Sequence, residues 1–215
     1  MSEARSLAGA RIGVLVESQF IPEEIATYQN RFGERGADVE LISRLWNQPC
    51  KRFVSDVEVE GETPKTIDVT VDLEARRPQD YDAVIMAANY TSVRLRYFEP
   101  PADGRVTRDD VAGAPAVRFF ADAMRQRDLV KGVLCHGLWI LTPVPELLRG
   151  RRVICHEVVL ADVLNAGATY VPPDDTNRGV VVDDDLVTGR SGAEAALLVD
   201  AVCQEVLRRR TAGVR

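Results

Sequence analysis

The segment Leu129-Val130-Lys131-Gly132-Val133-Leu134-Cys135-His136-Gly137-Leu138-Trp139-Ile140-Leu141 carries more structural information than any other in this chain. A short, mostly apolar run ends at a cysteine, a histidine and a glycine follow, and apolar residues resume at once. The pattern predicts a buried strand, a sharp turn with Cys135 at its apex, and a helix. Such a nucleophile elbow pushes one side chain out of a sheet and turns backbone N–H groups toward it. Cysteine suits the position because its thiolate is the reactive form and a helix N-terminus lowers a thiol's pKa. The plain alternative is a buried, inert cysteine in an α/β core, a common place for free Cys.

Upstream, Arg11–Val16 and Val39–Ser43 read as strands, with a helix from Pro22 to about Arg35 between them. Pro22 fits the first helical turn, and Glu23 and Glu24 suit the positive end of the dipole. Phe53–Val71, broken at Gly61-Glu62-Thr63-Pro64, reads as a hairpin or meander. Tyr81–Ala87 is a further buried strand, followed by a turn at Ala88-Asn89-Tyr90-Thr91. Phe98–Gly113 reads as an exposed loop and Ala114–Arg127 as an amphipathic helix. Downstream, Arg151–Cys155 is read as a strand and Val158–Asn165 as a helix. Val180–Val182 and Leu186–Thr188 form a hairpin around Asp183-Asp184-Asp185, and Ala193–Arg210 is the closing helix. Strands alternate with helices and no linker interrupts them, so one doubly wound α/β domain with a largely parallel sheet is expected over residues 11–210, after a flexible segment 1–10.

The 215 residues carry a net charge of −6, with 46% hydrophobic and 28% charged residues. That composition fits a globular domain with a sizeable core and argues against nucleic acid as a partner. Arg208-Arg209-Arg210 suits the negative end of a final helix. No run approaches the roughly 18 apolar residues of a membrane span. Met1–Ala10 lacks the apolar core of an export signal, so a cytoplasmic location is expected. The four cysteines, Cys50, Cys135, Cys155 and Cys203, are scattered without a CxxC, which argues against a disulfide framework or structural zinc.

In such folds ligands bind beyond the carboxyl ends of the strands. Glu17–Glu24, Asn89 with Tyr90, Cys135 with His136, and His156 with Glu157 all follow predicted strands. The chain has two histidines, and both occupy such positions. Each position also has a bland reading: a histidine after a strand as a hydrogen-bonded loop residue, a glutamate as a helix-end charge, Trp139 as core. Cys135, His136 and His156 as a metal site would need adjacent ligands at 135 and 136, a poor chelating geometry, so no metal is expected.

Gly132–Gly137, followed by Leu147–Arg152, Val163–Ala168, Val180–Asp183 and Leu186–Arg190, resembles the DJ-1/PfpI superfamily over about Arg11–Leu207. The resemblance implies a flavodoxin-like three-layer α/β/α sandwich that forms homodimers or larger homo-oligomers; chemistry on a cysteine nucleophile, the first reading below, needs no external cofactor. It implies that a protonated glutamate from the loop after the first strand hydrogen-bonds the site cysteine. Counting back from Gly36 places that glutamate at Glu24, ahead of Glu23. His136 matches the histidine after the cysteine in the protease-named branch, where a neighbouring subunit's carboxylate orients it; an ungapped match brings Glu99 there. His156 matches a histidine of the DJ-1 branch. Where the family usually has Gly-Gly for an oxyanion pocket, this chain has Ala88-Asn89 and then Tyr90. Asn89 tolerates a left-handed backbone, and its side chain and Tyr90 narrow the pocket. An insertion, Phe98–Arg105, is expected to wall the site or form an interface, and Trp46 and Trp139 to add apolar walls.

The resemblance leaves three readings open. In the first, Cys135 adds to a small electrophilic carbon such as an α-oxoaldehyde or isonitrile, and His136, His156 or Glu24 moves protons. In the second, Cys135 attacks an amide, His136 protonates the leaving amine, and the N–H groups of Ala88, Asn89, Gly137 and Leu138 hold the oxyanion. Adjacent residues such as Cys135 and His136 rarely reach the geometry of a working dyad, which weighs against it. In the third, Cys135 is a redox sensor without turnover.

Overall fold

The computed structural model describes residues 6–57 and 60–213. In chain order the elements are β1 (Arg11–Leu15), α1 (Pro22–Gly33), β2 (Asp38–Ser43), β3 (Lys51–Val54), β4 (Thr66–Val69), β5 (Val71–Asp72), β6 (Ala83–Met86) and α2 (Thr91–Leu95). There follow α3 (Arg108–Ala112), α4 (Pro115–Met124), β7 (Val130–Leu134), β8 (Arg152–Val153), α5 (Glu157–Asn165), β9 (Thr169–Tyr170), β10 (Val180–Asp183), β11 (Leu186–Gly189) and α6 (Ala195–Thr211). The central sheet has seven strands in the order β10-β11-β7-β6-β1-β2-β5. All pairings are parallel except β10 with β11. Helices α1 and α6 pack together over one side, while α4 packs with α2, α3 and the connecting turns. This is the mostly parallel, flavodoxin-like α/β sandwich that the sequence predicts.

β6 and β7 lie at the centre and are buried throughout, as parallel strands covered on both faces must be. Gly132 is required there: a Cβ would lie 2.6 Å from Ile85 Cδ1 and 3.3 Å from Val202 Cγ2 of α6. Lys131 is the polar exception in β7. Its fully buried ammonium donates to the carbonyls of Gln126 and Leu129, both at 2.8 Å, and pairs with Asp185, which also accepts from Arg151 at 2.7 Å. The β10–β11 turn is thereby tied to the foot of β7. α1 buries Glu24, Ile25, Tyr28 and Phe32, an i, i+1, i+4, i+8 stripe.

Several expectations need correction. The helix after the elbow is a six-residue 3₁₀ segment, Cys135–Ile140. The Arg151–Cys155 strand shortens to β8 and pairs with β9 outside the central sheet, because the Ile154 N–H goes to Thr188 Oγ1 at 3.0 Å. The loop Phe98–Gly113 contains α3, started by a reciprocal Thr107–Asp110 capping box. The meander Phe53–Val71 divides: β3 and β4 form a separate hairpin, and β5 joins the sheet edge. Of the segment expected to be flexible, residues 1–5 lie outside the described residues. Leu7 and Ala10 are buried in the core, and the Leu7 N–H donates to Arg35 O at 2.7 Å.

Left-handed backbone at non-glycine residues marks the carboxyl edge of the sheet. β1 is followed by Gln19 (φ 65), β2 by Trp46 (φ 56) and Asn47 (φ 62), β6 by Asn89 (φ 61), and β7 by Cys135 (φ 58). Four neighbouring parallel strands therefore each end in a conformation that costs about 1–3 kcal/mol at a non-glycine residue. Strain of this kind persists where surrounding contacts hold it, and it gathers at functional sites.

Candidate active site

β7 ends in extended geometry at Leu134, and the left-handed turn at Cys135 lifts the thiol out of the sheet. Gly137 lets the turn fold back against the strands: a Cβ there would lie 2.9 Å from Val133 Cγ1 and 3.2 Å from Met86 Cγ. Leu138 is buried beside it, so both serve packing of the elbow.

His136 Nδ1 lies 2.8 Å from Cys135 Sγ, so the adjacent pair makes the direct contact that its spacing argued against. Ser92 Oγ donates to the His136 carbonyl at 3.1 Å and fixes the backbone of that residue. The imidazole of His136 stacks on that of His156, with centroids 4.8 Å apart and planes at 21°. Tyr90 and Trp139 stand 5.5 Å and 5.2 Å from it. Three rings thus surround the base. Trp139 is held by its indole N–H, which donates to Asp162 Oδ2 at 2.7 Å.

His156 does not arrive on a central strand. Its N–H approaches Cys135 O at 3.5 Å, and its Nδ1 caps α5 by accepting from the Val158 N–H at 3.3 Å. That acceptor role places the proton of the neutral ring on Nε2. Burial and the neighbouring His156 both hold the His136 pKa below its ordinary value. Among the described residues no three metal-ligating side chains converge.

The thiol is not pre-ionised. Burial pushes Cys135 up to about 12, and the carboxylates of Glu24 and Glu194 act in the same direction. The N–H groups of His136 and Asn89 oppose them as donors to the sulfur. A six-residue 3₁₀ turn supplies too little dipole to reverse the balance. Deprotonation therefore needs a base, and His136 is in contact.

Glu24 is fully buried on the inner stripe of α1. It makes no hydrogen bond to Cys135 among the described contacts. Its Oε1 accepts from the Tyr28 hydroxyl at 2.6 Å, and the Ala88 N–H donates to Oε1 at 2.9 Å and Oε2 at 3.1 Å. The Ala88 N–H assigned to an oxyanion pocket is therefore taken. Burial raises the Glu24 pKa to about 7 against the lowering effect of these donors. Glu23, one residue earlier, is exposed and pairs with Lys65. The Asn89 side chain is engaged by Asp56: Nδ2 donates to Asp56 Oδ2 at 2.7 Å.

Two expected contributors stand elsewhere. Glu99 is exposed, with no hydrogen bond or ion pair among the described residues. Trp46 sits against Tyr97, ring centroids 5.5 Å apart, with the Arg44 guanidinium 3.5 Å from its ring centre. Tyr28 and Asp56 were not legible as site residues. Tyr28 carries a signal, since it follows Glu24 by four residues on one helix face; Asp56 carries none.

The DJ-1/PfpI family profile matches residues 104–205. An Escherichia coli protein named protein/nucleic acid deglycase 2 is 28% identical over 185 residues, covering 84% of this chain and 88% of its own. An uncharacterized protein of Staphylococcus aureus is 29% identical over 180 residues, with the same 84% and 88% coverage. Among solved structures, a two-domain Anabaena variabilis protein with DJ-1/ThiJ/PfpI-like and ferritin-like domains superposes with a TM-score of 0.72 at 20% identity. That match covers 92% of this chain and 48% of the other, so this chain spans about half of it. Schizosaccharomyces pombe DJ-1 gives a TM-score of 0.63 at 12% identity over 94% of this chain and 97% of its own.

Proposed function

The chain belongs to the DJ-1/PfpI superfamily, and from that premise we propose that it is a cysteine-dependent enzyme acting on a small electrophilic carbon. The contact between Cys135 Sγ and His136 Nδ1 at 2.8 Å carries the reading. With an α-oxoaldehyde, Sγ bonds to the aldehyde carbon while the thiol proton passes to His136 and on to the carbonyl oxygen, giving a hemithioacetal. Moving the C1 hydrogen to C2 as a proton through a basic side chain, with the electron pair following through an enediol, oxidises C1 and reduces C2. Water then cleaves the resulting thioester, releasing a 2-hydroxy acid and the free thiol. Glu24, with a pKa of about 7, suits either direction of proton transfer. The N–H groups of Asn89 and His136, which face the sulfur, are the donors suited to developing negative charge. The sequence balances with water alone. Lactate formation from methylglyoxal without added thiol tests it: turnover lost in Cys135→Ser supports the reading, and turnover retained there overturns it.

A hydrolytic reading has its own support. The E. coli relative is named a deglycase, and an open groove lined by Tyr90, Val93, Arg96, Trp139, Thr142 and Asp162 runs past two of the rings that flank His136. Release of amine from a small glycated amine, with Cys135→Ser alongside, distinguishes it. Within either reading Glu99 takes part only from a second copy of the chain, so a homodimer or larger homo-oligomer belongs to the proposal; sedimentation equilibrium tests it. No helix among the described residues is long and apolar enough to cross a membrane.

A further inference from the structure

We propose that Asp56, on the segment following β3 and outside the central sheet, is a positioning residue for Cys135: it locks Asn89 in its left-handed turn and so keeps the Asn89 N–H aimed at the thiol. The inference rests on Cys135 as the reactive group.

Two carboxylates grip consecutive residues of one turn. β6 and β7 are in parallel register with Met86 opposite Val133, so the chain leaving β6 at 87–89 passes beside Cys135. Glu24 accepts from the Ala88 N–H. Asp56 accepts from the Asn89 side chain at 2.7 Å through Oδ2, while its Oδ1 accepts from the Val57 N–H at 3.0 Å. Asp56 is itself anchored. Its N–H donates to Phe20 O at 3.0 Å, the Gln19 N–H donates to Val54 O at 2.7 Å, and the Val54 N–H donates to Ser18 Oγ at 3.3 Å. The hairpin is thereby fixed to the β1–α1 loop, which also sets the position of Glu24. A left-handed asparagine is strained relative to glycine, and a buried side chain bonded to an anchored carboxylate is what holds it. The charged and titratable groups coupled to the thiol are Glu24, Glu194, Tyr28, Cys155 and the contacting His136, and Asp56 reaches it through Asn89.

The test is the pH dependence of Cys135 alkylation by iodoacetamide, followed by peptide mass spectrometry. It needs no substrate, so its failure is distinct from failure of the turnover assay. Exposed Cys50 is the internal reference, and buried Cys155 and Cys203 report any loss of fold. Asp56→Ala is expected to slow Cys135 labelling about threefold and move its profile up by about half a pH unit, with Cys50 unchanged. Asp56→Asn retains an acceptor oxygen and should restore the rate. In an Asn89→Gly background, where no side chain is left to grip, Asp56→Ala should have no further effect. The proposal is overturned if Asp56→Ala and Asp56→Asn both speed labelling, which a purely electrostatic role predicts. It is also overturned if the Asp56→Ala effect persists in Asn89→Gly, or if Cys155 and Cys203 become reactive together with the change at Cys135.

Discussion

The hydroxyl of Tyr28 donates to Glu24 across one turn of α1 at 2.6 Å, inside the core, and the same carboxylate accepts the Ala88 N–H beside Cys135. The helix thus delivers its own hydrogen-bond partner to the acid it buries, one turn further along the same face. Burial drives the Glu24 pKa up, and Tyr28 is the largest of the opposing effects. Tyr28→Phe removes that donor, so the Glu24 pKa rises above its value of about 7. The limb of the pH–rate profile due to Glu24 should move to higher pH, and chemical denaturation should show a loss of about 1 kcal/mol.

Glu24 also links pH to stability. Its folded pKa, about 7, lies above the unfolded value near 4.5, so the folded state holds more protons between these pH values. Stability therefore falls as pH rises through that window, by about 3 kcal/mol at most. Glu24→Gln keeps a neutral acceptor and should flatten the dependence, making the variant more stable than the parent at pH 8. Urea unfolding at pH 5, 6.5 and 8 checks this.

Removing the base while keeping a ring separates chemistry from packing. His136→Phe retains the stack with His156 and Trp139 and loses Nδ1. Burial pushes the thiol up to about 12, so the proton it loses on attack needs an acceptor in contact, and Nδ1 of His136 is that acceptor. Turnover should fall by about 100-fold or more, with the melting temperature little changed.

Because the chain has two histidines, His156→Ala leaves a single imidazole to follow by NMR. His156 beside it and burial both depress the His136 pKa. Removing His156 relieves the first and lessens the second, so the His136 titration should shift upward. The variant also loses the cap of α5, worth about 1 kcal/mol.

At the opposite end of the sheet, Lys131 and Asp185 form a fully buried pair. Lys131→Met leaves Asp185 with Arg151 alone and should cost about 3 kcal/mol in urea unfolding. Cys135 alkylation should be unaffected at temperatures where the variant stays folded.

The central strands and the elbow were legible because buried parallel strands write continuous apolar runs, and because Cys-His-Gly interrupts one of them. The short helix α3 was hidden in a Pro- and Gly-rich stretch, although Thr107 and Asp110 spell its capping box. β8 was overread, since Ile154-Cys155 is apolar for burial while Thr188 claims its backbone. Convergence of the two histidines was legible; their stacking was not, because His156 arrives as a helix cap rather than from a sheet edge. The thiol's raised pKa was missed because its chief cause, burial at the elbow, depends on what packs around Cys135 and leaves no mark in the local sequence. Asp56 was invisible, for its meaning depends on a hairpin docking against the β1–α1 loop.

The most direct test is covalent. Protein turning over methylglyoxal and quenched in acid, which preserves a thiol-bound thioester, should carry one adduct on the peptide bearing Cys135, and that adduct should be absent in Cys135→Ser. Continued turnover with label on Cys50 or lysines only, and none on Cys135, would contradict the assignment of Cys135 as the nucleophile.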